Sequence, residues 1–471
     1  MRCAKKKRMK TRTTVSLFGA GIAMALLAAC GGGDNKETAT TGIKEHLTFN
    51  EDIAPIIFAN CSPCHHTDQV GHIDLMTYRQ VKEKAQSILF VTKSRKMPPW
   101  PADPHYVEFA GQKVLSNEQI AMLEQWVKDG CPEGDAAKAP APPVFAKGSM
   151  LGVPDLQLKV QPIFLKGDGK DRFLMVKVPW DIARDTFIHA IEFVPGNTKV
   201  VHHVNGDMIQ YNEGMKKDVN EGEHVADLIN DPTVLKVYEK MKLPNDDGTY
   251  PTLTRSVVNY LPGVIAQVYP EGIGGYHIKR KGAFLFNDIH YGGYEKDVWD
   301  SSYINIFFSP APPKRPVKEF QLGTLGVSPI EPALVIQPNE VKTFVTRYTV
   351  PEDISILTVN PHMHLLGQTF KAYALQPNGD TIRLISIPKW DFNWQYFYTF
   401  KKMLHVPKGS TIVAEGLFDN TRNNPYNPFN PPRVVAEREG SMRTTDEMFQ
   451  FIITYLPYQP GDENISLETK K

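Results

Sequence analysis

The 471-residue sequence predicts a multidomain protein, a small all-α domain followed by two antiparallel β-sandwich (jelly-roll) domains. Three observations carry that expectation. Between residues 47 and 135, apolar residues recur at helical spacing around Cys61-Ser62-Pro63-Cys64-His65. From about residue 151 the pattern changes to short alternating runs bounded by Gly, Pro, Asn and Asp, as in antiparallel sandwiches. Between the two regions, residues 136–150 are rich in Ala and Pro and read as a semi-rigid linker.

Ahead of the helical region, Arg2, Lys5, Lys6, Lys7, Arg8, Lys10 and Arg12 precede an apolar run over residues 15–29. That run is short for a membrane span, and its basic start suits an export signal. It ends Leu27-Ala28-Ala29-Cys30 and is followed by glycines, which resembles the lipobox of bacterial lipoproteins. The resemblance implies a signal peptide over residues 1–30, lipid on Cys30, and a leash over residues 31–46. It also implies an exported protein at an outer membrane, facing the periplasm; a plain cleaved signal is the alternative.

Net charge is +1 and the basic residues do not cluster beyond the signal, so no nucleic-acid partner is expected. Five cysteines occur, at 3, 30, 61, 64 and 131. None follows Cys131, so the last 340 or so residues must fold on packing and metal rather than disulfides.

Within residues 47–135, Phe49, Ile53, Ile56 and Ile57 form a helical apolar face before the cysteine motif. A second helix starts at Ser116, with Gln119 placed for a capping box, and stops at Gly130. Its inward face carries Ile120, Leu123, Trp126 and Val127. In C-x-x-C-H the two thiols add to haem vinyl groups and the histidine takes an axial iron position. A redox dithiol or half of a zinc site competes, but no βαβ pattern surrounds the motif and no second cysteine pair exists. The stretch resembles cytochrome c. Met97, in Met97-Pro98-Pro99-Trp100, is the chosen sixth ligand, with Met76, His72 and His105 as alternatives.

The β-rich region divides near the prolines of residues 310–316 into domains at 151–318 and 319–471. The first holds His202-His203 and, later, His290-Tyr291-Gly292. Adjacent histidines on a flat strand face opposite sides, so joint ligation needs a local bend. Without one, His202 and His203 are one buried and one exposed residue, and His290 an ordinary strand residue. An insertion over residues 212–255 reads as helical and amphipathic through Val225, Leu228, Ile229, Leu235 and Tyr238. The second domain holds His362-Met363-His364, whose imidazoles share one face of a strand and suit copper or zinc, or are exposed strand residues. It also holds Trp390, Phe392, Trp394, Tyr396, Tyr398 and Phe400 in alternation, expected as sandwich core, and Asp446-Glu447-Met448.

In that order the four motifs resemble the copper type II ascorbate-dependent monooxygenases, the family of the peptidylglycine α-hydroxylating and dopamine β-monooxygenases. The resemblance covers residues 154–458. It implies two jelly rolls with one copper each and a solvent gap between them. His202, His203 and His290 would hold the electron-transfer copper, and His362, His364 and Met448 the copper that meets O₂. The implied reaction is hydroxylation of a C–H bond of a small substrate. Where that family's peptide hydroxylase binds a substrate carboxylate through arginine and tyrosine, this chain has Asn360 and Ile452, which argues against a glycine-extended peptide. The covalent haem c would stand in for ascorbate as one-electron donor, or pass on electrons from a periplasmic carrier, with the linker keeping it near the first copper. A non-enzymatic haem and copper electron-transfer or copper-handling lipoprotein, and a copper oxidase, are the competing functions.

Overall fold

Four α-helices occupy the amino-terminal part of the described residues: Ala54–Asn60, Tyr78–Glu83, Ala85–Lys93 and Asn117–Lys128. The computed structural model describes residues 44–67, 69, 71, 73–145, 148–227, 233–262, 264, 266–438 and 443–468. The export signal with Cys30, and also His72, Leu228 and Ile229, lie outside these. Phe49–Ile53 is a π-helical turn leading into Ala54–Asn60, and Phe49, Ile53, Ile56 and Ile57 are all buried. Ser116 caps Asn117–Lys128 in a reciprocal box with Gln119, and Leu123 and Trp126 face inward. The two middle helices were not anticipated from periodicity. Thr77 and Gln80, a capping box, were their legible sign.

Beyond residue 155 the described chain is mainly strand. In the first half, a five-stranded sheet runs in the spatial order Val225–Asp227, Arg172–Asp181, Lys281–Tyr291, Val201–Tyr211, Thr252–Tyr260. A four-stranded sheet of Leu156–Lys159, Tyr303–Ser309, Thr186–Val194 and Tyr276–Ile278 shares its core, through residues such as Val176, Val204, Phe286 and Ile306. The second half repeats the plan. One sheet orders Lys318–Gly323, Phe449–Pro457, Ile354–Met363 and Tyr398–Val406. The other orders Ile330–Glu331, Val341–Thr349, Thr411–Asp419, Gly367–Leu375 and Thr381–Ile387, and one core joins the two. These sheets are compatible with two sandwiches.

The insertion differs from its expectation. Val225–Asp227 pairs as an edge strand with Leu174–Val176, and among the described residues of the insertion only Val234–Lys240 is helical. Val237 is buried whereas Leu235 is exposed. The helix covers Met175, Ile209 and Leu285 on the outer face of the sheet. Val225 is drawn into the sheet because edge pairing satisfies its backbone while its side chain is part-buried against the sandwich core.

The helical segment is not held by its linker alone, contrary to the tether expectation. Ala102 and Phe109 belong to the same buried cluster as Tyr396, Tyr398 and Phe400 of the second sandwich. Backbone N–H groups of Asp103 and Ala110 donate to the carbonyls of Ser386 and Thr399, each at 2.8 Å. Shared apolar surface and backbone pairing seat the segment on the sandwich, and residues 44–471 form one compact unit.

The proline-rich seam is pinned by Arg315, whose guanidinium meets the buried Asp462 carboxylate in a two-point contact at 2.5 and 2.8 Å and also donates to the Pro457 carbonyl. Burial pushes the Asp462 carboxyl up, but hydrogen bonds from Arg315, Ser355 and the Gln459 N–H outweigh it and hold the carboxyl at about 2. A depressed carboxyl stabilises the fold above its unfolded value of 3.8, and this is lost as pH falls toward 2. Asp462→Asn is expected to remove about 2 kcal/mol at neutral pH, with the gap to wild type closing below about pH 4. Urea unfolding of both proteins from pH 3 to 7 measures it.

Candidate functional site

His202 and His203 open the strand Val201–Tyr211, where a regular pleat would send them to opposite faces. The register against Lys281–Tyr291 shifts between Val201 and His203, and this bulge supplies the bend. His203 lies directly across from His290. One ring nitrogen from each of His202, His203 and His290 falls within 4.8 Å of the others. Bonds of about 2 Å hold a metal's donors roughly 3–4 Å apart, so modest ring rotations close this set on one ion. Three imidazoles suit copper or zinc.

Asp171 orients the third histidine. Its Oδ2 is 3.3 Å from His290 Nε2, and Phe173 stacks on the imidazole at 4.4 Å. The hydrogen bond with His290 holds the Asp171 carboxyl below the ordinary range. Such a carboxylate fixes the ring of a metal ligand and raises its basicity. Sequence reasoning passed over Asp171; only its place in the turn before the strand Arg172–Asp181 brings it there.

The second set stands where two strands meet. Ile354–Met363 ends at His362-Met363, paired with Gln450 and Phe449, and His364 begins the following turn. Met363 is fully buried, while the His362 and His364 rings sit 5.0 Å apart. His364 Nδ1–H donates to the Asp446 carbonyl at 2.9 Å, and His362 Nδ1 bonds the Gln395 side-chain oxygen. With both Nδ1 atoms engaged, the Nε2 atoms are the ones that would donate to a metal. Met448, also buried, immediately precedes the strand Phe449–Pro457.

Glu447 joins these pieces. Its carboxylate accepts the N–H groups of His364 at 3.0 Å, Leu366 at 2.7 Å and Met448 at 3.2 Å. Burial pushes this carboxyl up to about 8 against the pull of those three bonds. One side chain therefore sets the backbone of both His364 and Met448. The motif was visible in the sequence, but this role was not.

Residues 392–396 correct the expectation of an alternating core face. Strand pairing begins only at Tyr398, after a turn in which Trp394 N–H donates to the Asp391 carbonyl. Trp390, Tyr396, Tyr398 and Phe400 are buried and Trp394 packs half-buried against the same core, but Phe392 leaves it. Phe392 stands between the two histidine sets, 6.2 Å from His203 and 5.8 Å from His364. Trp394 reaches His202 at 5.8 Å.

A cavity of ≈ 260 Å³ lies between the sandwiches, lined among others by His203, Asn205, His362, His364 and Gln450. Asn360 and Ile452 are in its wall, and so is a cation that sequence reading missed, Arg255. Arg255 already faces Asp207 and Glu319, whose carboxyls feel its charge. A second space of ≈ 300 Å³ touches His290, His364 and Phe392.

Residues 339–464 match the family model of the copper type II ascorbate-dependent monooxygenase, C-terminal domain. The matched stretch contains His362, His364 and Met448. The matched family is one of copper monooxygenases, which use O₂ and a reductant, and the match is consistent with copper at this half. No curated protein matches the chain. Among solved structures, an allantoicase is 9% identical, covering 53% of this chain and 78% of its own, with a TM-score of 0.14. The broad bean stain virus structure is 8% identical, covering 69% and 95%, with a TM-score of 0.20. Such scores carry no likeness.

The cysteine motif forms one turn at the end of Ala54–Asn60. Cys61 N–H donates to the Ile57 carbonyl at 2.8 Å, and His65 N–H to the Cys61 carbonyl at 3.0 Å. Cys61 and Cys64 are not joined in a disulfide. Burial pushes the Cys61 thiol up to about 12. Gly71 backs His65 so closely that a Cβ there would lie 2.4 Å from Nδ1. Two adjacent thiols and an imidazole on one turn fit the donor set of a covalent haem. Burial, and next the charge of Cys64, push the phenols of Tyr260 and Tyr396 upward, so the second cysteine neighbours both. Met97 is 37% exposed, His105 is exposed and Met76 half-buried.

Proposed function

We propose that the protein is a copper-dependent monooxygenase that hydroxylates a C–H bond of a small substrate, with electrons entering through a covalent c-type haem on Cys61 and Cys64. The observation that carries this reading is the shared cavity, on which His203 of one sandwich and His362 and His364 of the other both open. Copper bound at the two sets would supply electron storage at His202, His203 and His290 and an O₂-binding centre at His362, His364 and Met448. A haem held by His65, with Met97 as sixth ligand, would supply electrons singly.

The chain's own residues do the positioning. Asp171 and Phe173 hold His290, Gln395 holds His362, and Glu447 holds His364 against Met448. Val204, Leu261 and Ile452 give the cavity an apolar wall, while Asn205 and Gln450 offer neutral hydrogen bonds. That mixture suits a small, mostly neutral substrate. Asn360 donates to the Tyr396 carbonyl at 2.9 Å, so it is committed to the fold rather than to a carboxylate clamp. The reading extends to export and a lipid anchor at Cys30, which labelling with a radioactive fatty acid tests.

Metal analysis of the full chain is expected to find two coppers and one haem, and His290→Ala to lose one copper while keeping the haem. Under ¹⁸O₂ with a reduced donor, one labelled oxygen atom is expected in the product. Label found solely in water would replace monooxygenation by an oxidase reaction.

A further inference from the structure

From the loop that ends at Trp100 to the first histidine set, aromatic side chains form a continuous series. Trp100 closes the Met97-Pro98-Pro99-Trp100 loop, and its ring lies 5.2 Å from that of Tyr396. Tyr396 stacks on Trp394 at 6.2 Å, with planes 13° apart. Trp394 lies 5.8 Å from His202. The near end is anchored by the Tyr396 O–H, which donates to the Pro99 carbonyl at 2.9 Å. Lys113 Nζ sits 5.8 Å from the Tyr396 ring, and its charge and the Cys64 sulfur act on each other.

We infer that Tyr396 and Trp394, with Trp100 beside them, are the electron path from the haem motif to the copper site of His202, His203 and His290. The inference rests on the reading that a haem at Cys61 and Cys64 is the donor. The step would be one electron: a haem at Cys61 and Cys64 would give it up, its iron passing from Fe(II) to Fe(III), and a Cu(II) held by the triad would take it to become Cu(I), with no proton moved and no bond made. The rings act by coupling, without being oxidised themselves. The Tyr396 hydroxyl faces a carbonyl that takes no proton, and burial opposes its ionisation. Electron transfer falls off steeply with distance through saturated groups, and stacked π systems at these separations shorten the gap. Phe392 then stands at the next junction, between His203 and His364.

Two features argue that this placement is more than packing. The helical segment docks where Trp100 meets Tyr396, so the contact that seats it also completes the series. Trp394 packs half-buried against the core of the second sandwich while its ring also meets His202 of the first, so one side chain spans the two.

The test uses the full chain loaded with haem and Cu(II), without oxygen. A flash-excited flavin reduces the haem, and haem absorbance and the copper paramagnetic signal are followed. Haem reoxidation is expected to be faster with copper than without. Trp394→Leu should slow it by at least an order of magnitude at unchanged copper and haem content, and Trp394→Phe should stay within roughly a factor of three of wild type. Tyr396→Phe, which keeps the ring and drops the hydroxyl, should also stay near the wild-type rate. A wild-type rate in Trp394→Leu overturns the path while leaving the haem-donor reading intact. A large loss in Tyr396→Phe overturns coupling without oxidation of the phenol. Copper-independent reoxidation in the wild type overturns the donor reading, and the path with it.

Discussion

Replacing Met448 with histidine is expected to leave both coppers bound and to lower hydroxylation by more than roughly a hundredfold. Histidine is a competent copper ligand, so the site need not empty. What changes is softness. A thioether favours Cu(I), the state that binds O₂, whereas a third imidazole makes the set resemble His202, His203 and His290 and holds Cu(II) as readily as Cu(I). Met448 is buried, and its N–H is held by Glu447, so the replacement side chain starts from the same backbone position. Copper analysis with product formation under a saturating reductant measures the effect. Full activity would remove Met448 from the chemistry.

Removing the Glu447 carboxylate should act through structure as well as through activity. Glu447→Ala strands the N–H groups of His364, Leu366 and Met448 in a buried site. One unsatisfied buried donor costs about 1–3 kcal/mol, and relief from burying the acid offsets part of the total, so a net loss of roughly 2–4 kcal/mol is expected. Copper at His362, His364 and Met448 should bind more weakly, while copper at the other set is retained, because Glu447 touches only the second strand junction. Glu447→Gln keeps the shape and one acceptor but turns an amide toward donors, so its loss should fall between the two. Calorimetric unfolding and copper titration, read separately for each site, distinguish this from general destabilisation.

The chemistry of the ligands was legible because it is local. C-x-x-C-H, His-His, His-x-His and Glu-Met are short spacings whose meaning depends on side-chain type. Helix ends were legible for the same reason: Ser116 and Gln119 form their capping box within one turn. The strand-rich character of the second region followed from period-two runs such as Thr343 to Tyr348, found in the strand Val341–Thr349.

Distance in sequence hid the rest. His203 and His290 face each other because of a bulge in strand pairing, and no pattern within either strand announces a register shift. Alternation from Trp390 to Phe400 looked like one core face, but alternation reports faces only where a strand is hydrogen-bonded, and pairing starts at Tyr398. Phe392, Trp394 and Gln395 were thereby released to touch His203, His364, His202 and His362. The seating of the helical segment was equally hidden, since Phe109 and Phe400 meet across almost three hundred residues. Residue types and short spacings state which atoms can ligate a metal or haem. Which of them come within bonding reach is decided by long-range packing, because burying apolar surface and satisfying backbone groups select one arrangement of strands, and the ligands follow it.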